Sequence, residues 1–148
     1  MTYNILLFGA GNIGSRHIQG FIKTNLKLNI HIVDPNPRAI NITKERILEI
    51  KKIKNKKFFF YKNINFKKKN FNLLVMSTSS KNRLTHLKKI CFVKKIDNLL
   101  IEKIAFQNFQ EYLKAIKLLE QKKIKNWVNC ARNAQPIYKY LRNKIKLN

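Results

Sequence analysis

The feature that most constrains this chain is a glycine loop, Gly9-Ala10-Gly11-Asn12-Ile13-Gly14, set between an apolar run and a stretch of helical period. Tyr3 to Phe8 reads as a strand that ends at the loop. From Asn12 to about Thr24, the residues Gly14, Ile18, Phe21 and Ile22 recur at three- and four-residue spacing, the period of one helix face. The whole chain holds only 4 glycines, and three of them stand in this loop. Each has its own physical role. Gly9 permits the tight turn, Gly11 lets the backbone approach a pyrophosphate, and Gly14 lets the helix pack closely on the sheet. Asp34, twenty residues beyond Gly14, closes the next apolar run, which completes the pattern of a dinucleotide-binding strand, turn and helix.

Apolar runs of strand length alternate with helical stretches along the rest of the chain, the pattern of a parallel sheet wrapped by helices. Strands are expected at Leu28 to Asp34, Lys57 to Tyr61, Asn72 to Thr78, Asn98 to Glu102 and Asn126 to Cys130. Asn36 and Pro37 suit the cap and first residue of a helix that runs from about Arg38 to Ile53. Ser80 suits the cap of a helix with an inward stripe of Leu84, Leu87, Ile90 and Cys91. Phe109, Tyr112, Leu113, Ile116 and Leu119 mark a further amphipathic helix, and Pro136 to about Lys146 a last one. The segment from Asn63 to Asn70 reads as a loop. Right-handed crossovers then favour an α/β doubly wound sheet, a Rossmann fold of six strands in the order 3-2-1-4-5-6, with residues 1–148 forming a single dinucleotide-binding domain.

At 148 residues the chain is the size of one ordinary domain, and its apolar runs are far shorter than the ~20 residues of a membrane span. A cytoplasmic protein without a membrane segment is expected. Cys91 and Cys130 lack any metal-ligand or disulfide spacing, so reduced, half-buried thiols and no metal site are expected. The formal charge of +25 suggests a nucleic-acid or anionic partner when taken alone. Yet Lys, Ile and Asn supply well over a third of the chain, as a strongly A/T-biased genome would produce. The cations are mostly lysines spread throughout, with their densest runs at Lys51 to Lys57 and Lys67 to Lys69, in a helix end and a loop. That distribution argues for a solvated surface and against a specific nucleic-acid site.

In this frame the free N–H groups of Asn12 and Ile13 lie at the positive end of the first helix, where they can receive the phosphates of NAD or NADP. Asp34 can accept from the adenosine ribose hydroxyls and would repel a 2′-phosphate, which favours NAD; Arg38, four residues on, keeps NADP possible. The histidines His17, His31 and His86 have no acid at triad or metal spacing and read as surface or packing residues.

Four segments, Ile5 to His17, Val75 to Ser80, Leu99 to Lys103 and Trp127 to Cys130, resemble in order and spacing the N-terminal domain of the Gfo/Idh/MocA oxidoreductases. The resemblance covers nearly the whole chain. It implies that Lys103 projects beside the nicotinamide to hold or polarise substrate and that Glu102 orients it, making these two the catalytic candidates. Ile104 stands where the family's motif carries Pro. It also implies that Thr78 and Ser79 pass close to the cofactor's pyrophosphate and nicotinamide ribose, and that Arg132 faces a sugar or the cofactor's amide.

Relatives in that family carry a second domain that covers the nicotinamide, so the expected function is the NAD(P)-binding part of a sugar- or cyclitol-type oxidoreductase. Turnover would then need a further domain or a partner chain, with a homo-oligomer as one arrangement, and a free or nucleotide-linked sugar as substrate. Two other functions fit the sequence: a non-enzymatic nucleotide-binding or regulatory module, and a cationic nucleic-acid binder.

Overall fold

The computed structural model describes residues 1–131 and 135–145. Strands β1 (Thr2–Phe8), β2 (Lys27–Val33), β3 (Lys56–Tyr61), β4 (Asn70–Met76), β5 (Lys95–Glu102) and β6 (Lys125–Asn129) form one sheet in the order β3-β2-β1-β4-β5-β6. All neighbouring pairs are parallel, with Phe8 beside Val33 on one side and Met76 on the other. The helices between them are α1 (Asn12–Ile22), α2 (Pro37–Leu48), α3 (Arg83–Val93), α4 (Phe109–Gln121) and α5 (Pro136–Ile145). The doubly wound Rossmann order expected from the sequence is the order found.

Alternation along each strand sorts side chains to two faces, because successive Cβ atoms point opposite ways. Ile5 and Leu7 of β1 face α1 and α2, where they meet Ile18, Ile22 and Ile47. Leu6 points to the other face with Leu74, Met76, Leu99 and Ile101, beneath Leu84, Leu87 and Ile90 of α3. Fully burying each such Leu or Ile contributes about 1.5–3 kcal/mol, so both layers are fixed by transfer free energy. The centre of the sheet is accordingly near-continuous apolar sequence, as expected where both faces are covered.

Several boundaries and facings differ from the sequence expectation. The second helix ends at Leu48, not near Ile53. Asn36 caps α2 as expected, accepting from Arg38 N–H at 3.0 Å, with Pro37 as its first residue. Ser80 does not cap α3; a short 3₁₀ turn (Ser80–Asn82) precedes it, and neither the turn nor the helix has a side-chain cap. The α4 stripe is rotated: Ala115 and Leu119 are buried while Phe109, Leu113 and Ile116 are exposed. Ala115 and Leu119 join the core cluster that α3 also lines, and the larger Phe109, Leu113 and Ile116 face outward. Cys91 is buried, and burial pushes its thiol up to about 11, whereas Cys130 is exposed rather than half-buried.

The segment between β3 and β4 closes the edge of the core. Phe66 stacks on Tyr61 at 3.9 Å between ring centroids, and the rings of Phe59, Tyr61 and Phe66 lie nearly parallel to His31. Lys94 sits 3.8 Å over the Phe66 ring and donates to the carbonyls of Phe66 and Lys68 at 2.7 and 2.8 Å. Burial, with help from Lys68 and Lys94, pushes His31 down to about 4. His31 is therefore neutral in the folded chain at pH values where an unfolded histidine, with its pKa near 6.5, takes up a proton. Between those two values the unfolded state binds more protons, so stability is complete above pH ~6.5 and falls as the pH drops towards 4. Urea unfolding at pH 7 and pH 4.5 is expected to show a loss on the order of 2 kcal/mol from this residue, much reduced in His31→Phe. An unchanged loss in that variant would assign the acid sensitivity elsewhere.

Candidate dinucleotide-binding site

The sheet's order reverses between β1 and β4, and their carboxyl ends part there to leave a crevice, the usual ligand position in such sheets. Gly9 occupies the turn with φ +101°, and a Cβ there would lie 2.8 Å from the Thr78 backbone nitrogen. At Gly14 a Cβ would lie 1.9 Å from the Gly9 carbonyl oxygen, so α1 starts this close to the turn only without a side chain at that position. At Gly11 nothing stands within 4 Å of the place a Cβ would take, leaving open space in front of the loop. Among the described residues, no side chain caps α1, and the N–H groups of Asn12 and Ile13 make no hydrogen bond. Unpaired donors at a helix start carry the positive end of its dipole and favour an anion.

Asp34 lies just past β2, and its carboxylate already holds the loop: Oδ2 accepts from Ala10 N–H at 2.7 Å and Oδ1 from Asn36 N–H at 2.8 Å. Each oxygen retains a further lone pair for a hydroxyl. A hollow of about 380 Å³ brings Asp34 together with Gly9, Gly11, Thr78 and Ser79. Thr78 is half-buried and Ser79 exposed. Thr78 Oγ1 and His86 Nδ1 are buried without a hydrogen-bond partner among the described residues, and both residues line this hollow. Burial, reinforced by Lys89, holds His86 below its ordinary pKa and hence neutral. Orphaned polar atoms beside an open phosphate-sized space fit a polar ligand such as a dinucleotide.

Sequence reasoning missed the residues that brace the loop. Thr43 of α2 donates to the Ala10 carbonyl at 2.8 Å, and Ser77 donates to the Gly9 carbonyl at 2.7 Å. Arg46 reaches from α2 to the Asn12 carbonyl at 3.0 Å and to the Asn12 side-chain oxygen at 3.1 Å. None of these has a spacing relation to the glycines that a linear reading could detect.

Glu102 and Lys103 lie at the end of β5, on a second cleft of about 910 Å³ that also includes Ile13, His17 and Asn129. The Glu102 Oε1 lies 2.7 Å from His17 Nε2 and accepts from Asn129 Nδ2 at 2.5 Å, two contacts that tie α1, β5 and β6 together. His17 thus has the acid partner that its sequence neighbourhood lacks, because 85 residues separate the pair. Lys103 is exposed at the rim, and the peptide bond to Ile104 is cis. Arg132 lies outside the described residues.

No family model and no curated protein matches the chain. Solved structures do. The myo-inositol 2-dehydrogenase of Lactobacillus plantarum aligns over 99% of this chain and 41% of its own, with TM-score 0.73 and 12% identity. The UDP-N-acetylglucosamine 3-dehydrogenase of Acidithiobacillus ferrooxidans aligns over 97% and 42%, with TM-score 0.71 and 13% identity. The WlbA dehydrogenase of Bordetella pertussis, solved with NADH and UDP-GlcNAcA, aligns over 99% and 40%, with TM-score 0.73 and 14% identity. The resemblance to the Gfo/Idh/MocA dehydrogenases holds at the level of the fold. The chain spans about two-fifths of the length of these structures.

The two glycines nearest the loop's mouth make opposite demands, and stability measurements separate them. Gly14→Ala is expected to cost about 3 kcal/mol or more, because a backbone carbonyl blocks the new methyl group, while Gly11→Ala stays within about 1 kcal/mol of the parent. Urea titrations followed by circular dichroism check this; equal costs would refute the assigned roles.

Proposed function

We propose that this chain is the nicotinamide-dinucleotide-binding part of an oxidoreductase acting on a sugar or cyclitol. The observation that carries the reading is the anion cradle: a side-chain-free approach at Gly11, unpaired N–H groups at the start of α1, and Asp34 beside them. The likeness in fold to dehydrogenases supports it, one of them solved with NADH.

In this reading the N–H groups of Asn12 and Ile13 receive the pyrophosphate, and Asp34 accepts from the adenosine ribose. Asp34 carries a negative charge where NADP would place its 2′-phosphate, so NAD is the preferred cofactor. Thr78 and Ser79 offer hydroxyls to the cofactor's middle and nicotinamide ribose. Bound there, the nicotinamide supplies hydride chemistry. Lys103, exposed beside the Glu102, His17 and Asn129 cluster, is placed to hold a substrate hydroxyl or carbonyl oxygen by a charge-assisted hydrogen bond.

The Lys103 cleft is open to water on its outer side, whereas hydride transfer needs water excluded and the reacting carbons held near contact. We accordingly infer that a second wall, from a further domain or a partner chain, completes the site for turnover.

Calorimetry with the full chain tests the binding step. NADH is expected to bind at least about tenfold more tightly than NADPH, and Asp34→Asn to narrow that ratio, a comparison in which any general weakening cancels. Gly11→Val should abolish binding of both while the variant remains folded. Absence of heat with either cofactor on folded protein would overturn the reading.

A further inference from the structure

Arg83 is one of 32 Lys and Arg residues, and nothing in its linear context sets it apart. The structure does. Only 2% of it is exposed, at the first position of α3. Its Nη1 donates to the carbonyls of Glu102, of Ile104 at 2.7 Å and of Ala105 at 3.2 Å, while Nη2 donates to the Thr78 carbonyl. A single guanidinium thus spans the loop after β4, which carries Thr78 and Ser79, and the loop after β5, which carries Glu102 and Lys103.

Placing a cation there is costly. Burying a charge requires compensation from paired or hydrogen-bonded groups, and among the described residues no carboxylate bonds this one. Glu102 is near enough for its charge to favour the guanidinium, but its carboxylate bonds to His17 and Asn129. Burial pulls Arg83 below its ordinary pKa, which starts so high that the side chain stays charged. An apolar residue would serve simple packing beside Leu84 and Leu87 at lower cost. What an apolar residue cannot do is hold four carbonyls from two loops in one fixed geometry, and a lysine, with a compact ammonium, lacks the planar fork to do so.

We propose that Arg83 is a positioning residue for the nicotinamide half of the site: it locks the Lys103 loop against the Thr78 loop, so that both meet the same end of a bound dinucleotide. The proposal rests on the function proposed above. The adenosine end is built from Asp34, Thr43 and Arg46 around the glycine loop, and none of these three bonds to Arg83. Arg83 should therefore matter for one half of the ligand and not the other.

The test uses the full chain with two probes: NADH, and AMP, which keeps the adenosine and its phosphate but lacks the nicotinamide nucleotide. Arg83→Lys and Arg83→Met, checked for cooperative melting, are expected to weaken NADH by tenfold or more and to diminish the fluorescence change of its nicotinamide on binding. AMP affinity should stay within twofold. A merely structural role would move both probes together or neither, and either result overturns the proposal. Should the variants not fold, the Nε–H resonance of Arg83 in the unmutated protein decides: it should shift with NADH and not with AMP, and any other pattern counts against the proposal. Failure of the unmutated protein to bind either probe would instead overturn the proposed function itself.

Discussion

The architecture of the candidate site depends on one close approach, the start of α1 against the carbonyl of Gly9. With a Cβ position at residue 14 only 1.9 Å from that oxygen, any other amino acid would push the helix away from the turn. The approach fixes more than packing. It aims the first turn of α1 along the crevice at the ends of β1 and β4, and its unpaired N–H groups then face the space that Gly11 leaves open. Asp34, Thr43, Ser77 and Arg46 all bond to this turn from other elements, so α2 and the β4 loop serve to hold a geometry that the glycines permit.

Local pattern carried the parts of this structure that local physics determines. The order of the strands follows from alternation of apolar runs with helical stretches plus the handedness of crossovers, and it was legible throughout. The caps were legible where side chain and backbone lie two residues apart, as at Asn36 and Arg38, and not at α3, where a 3₁₀ turn intervenes. The facing of α4 misled because a stripe of large residues looks like the inward face, whereas the buried positions include Ala115, too small to weigh in such a pattern.

The bracing contacts were not legible, and the reason is sequence separation. His17 and Glu102 lie 85 positions apart, Arg46 and Asn12 34, and Arg83 and Ile104 21. Each pair meets only because the fold packs elements distant in sequence against one another, α1 with β5, α2 with α1, and α3 with the segment after β5. A residue such as Arg83 then hides among many cations, since composition weights it like any surface lysine while burial weights it oppositely. The family resemblance pointed to Glu102 and Lys103; the contacts of the Glu102 carboxylate with α1 and β6 had no sign in the sequence.

Charge is where composition and structure diverge most. Thirty-two Lys and Arg residues face only 7 acids, and among the described residues the one acidic ion-pair contact is His17 with Glu102. Most cations are thus solvated and contribute little to the fold, since exposed charges interact weakly and are screened within about 8 Å at physiological salt. The scarce acids are used otherwise. Asp34 fastens the glycine loop, Glu102 joins three elements, and Glu111 accepts from the Gln107 N–H ahead of α4. In a chain so enriched in lysine, a carboxylate that accepts from backbone or from a buried partner cannot be replaced by the prevailing residue without leaving donors unpaired. The same holds for Gly9 and Gly14, whose Cβ would meet backbone atoms. Gly9, Gly14, Asp34 and Glu102 are therefore positions where the structure constrains the side chain against the bulk composition, and they cluster at the ends of β1, β2 and β5.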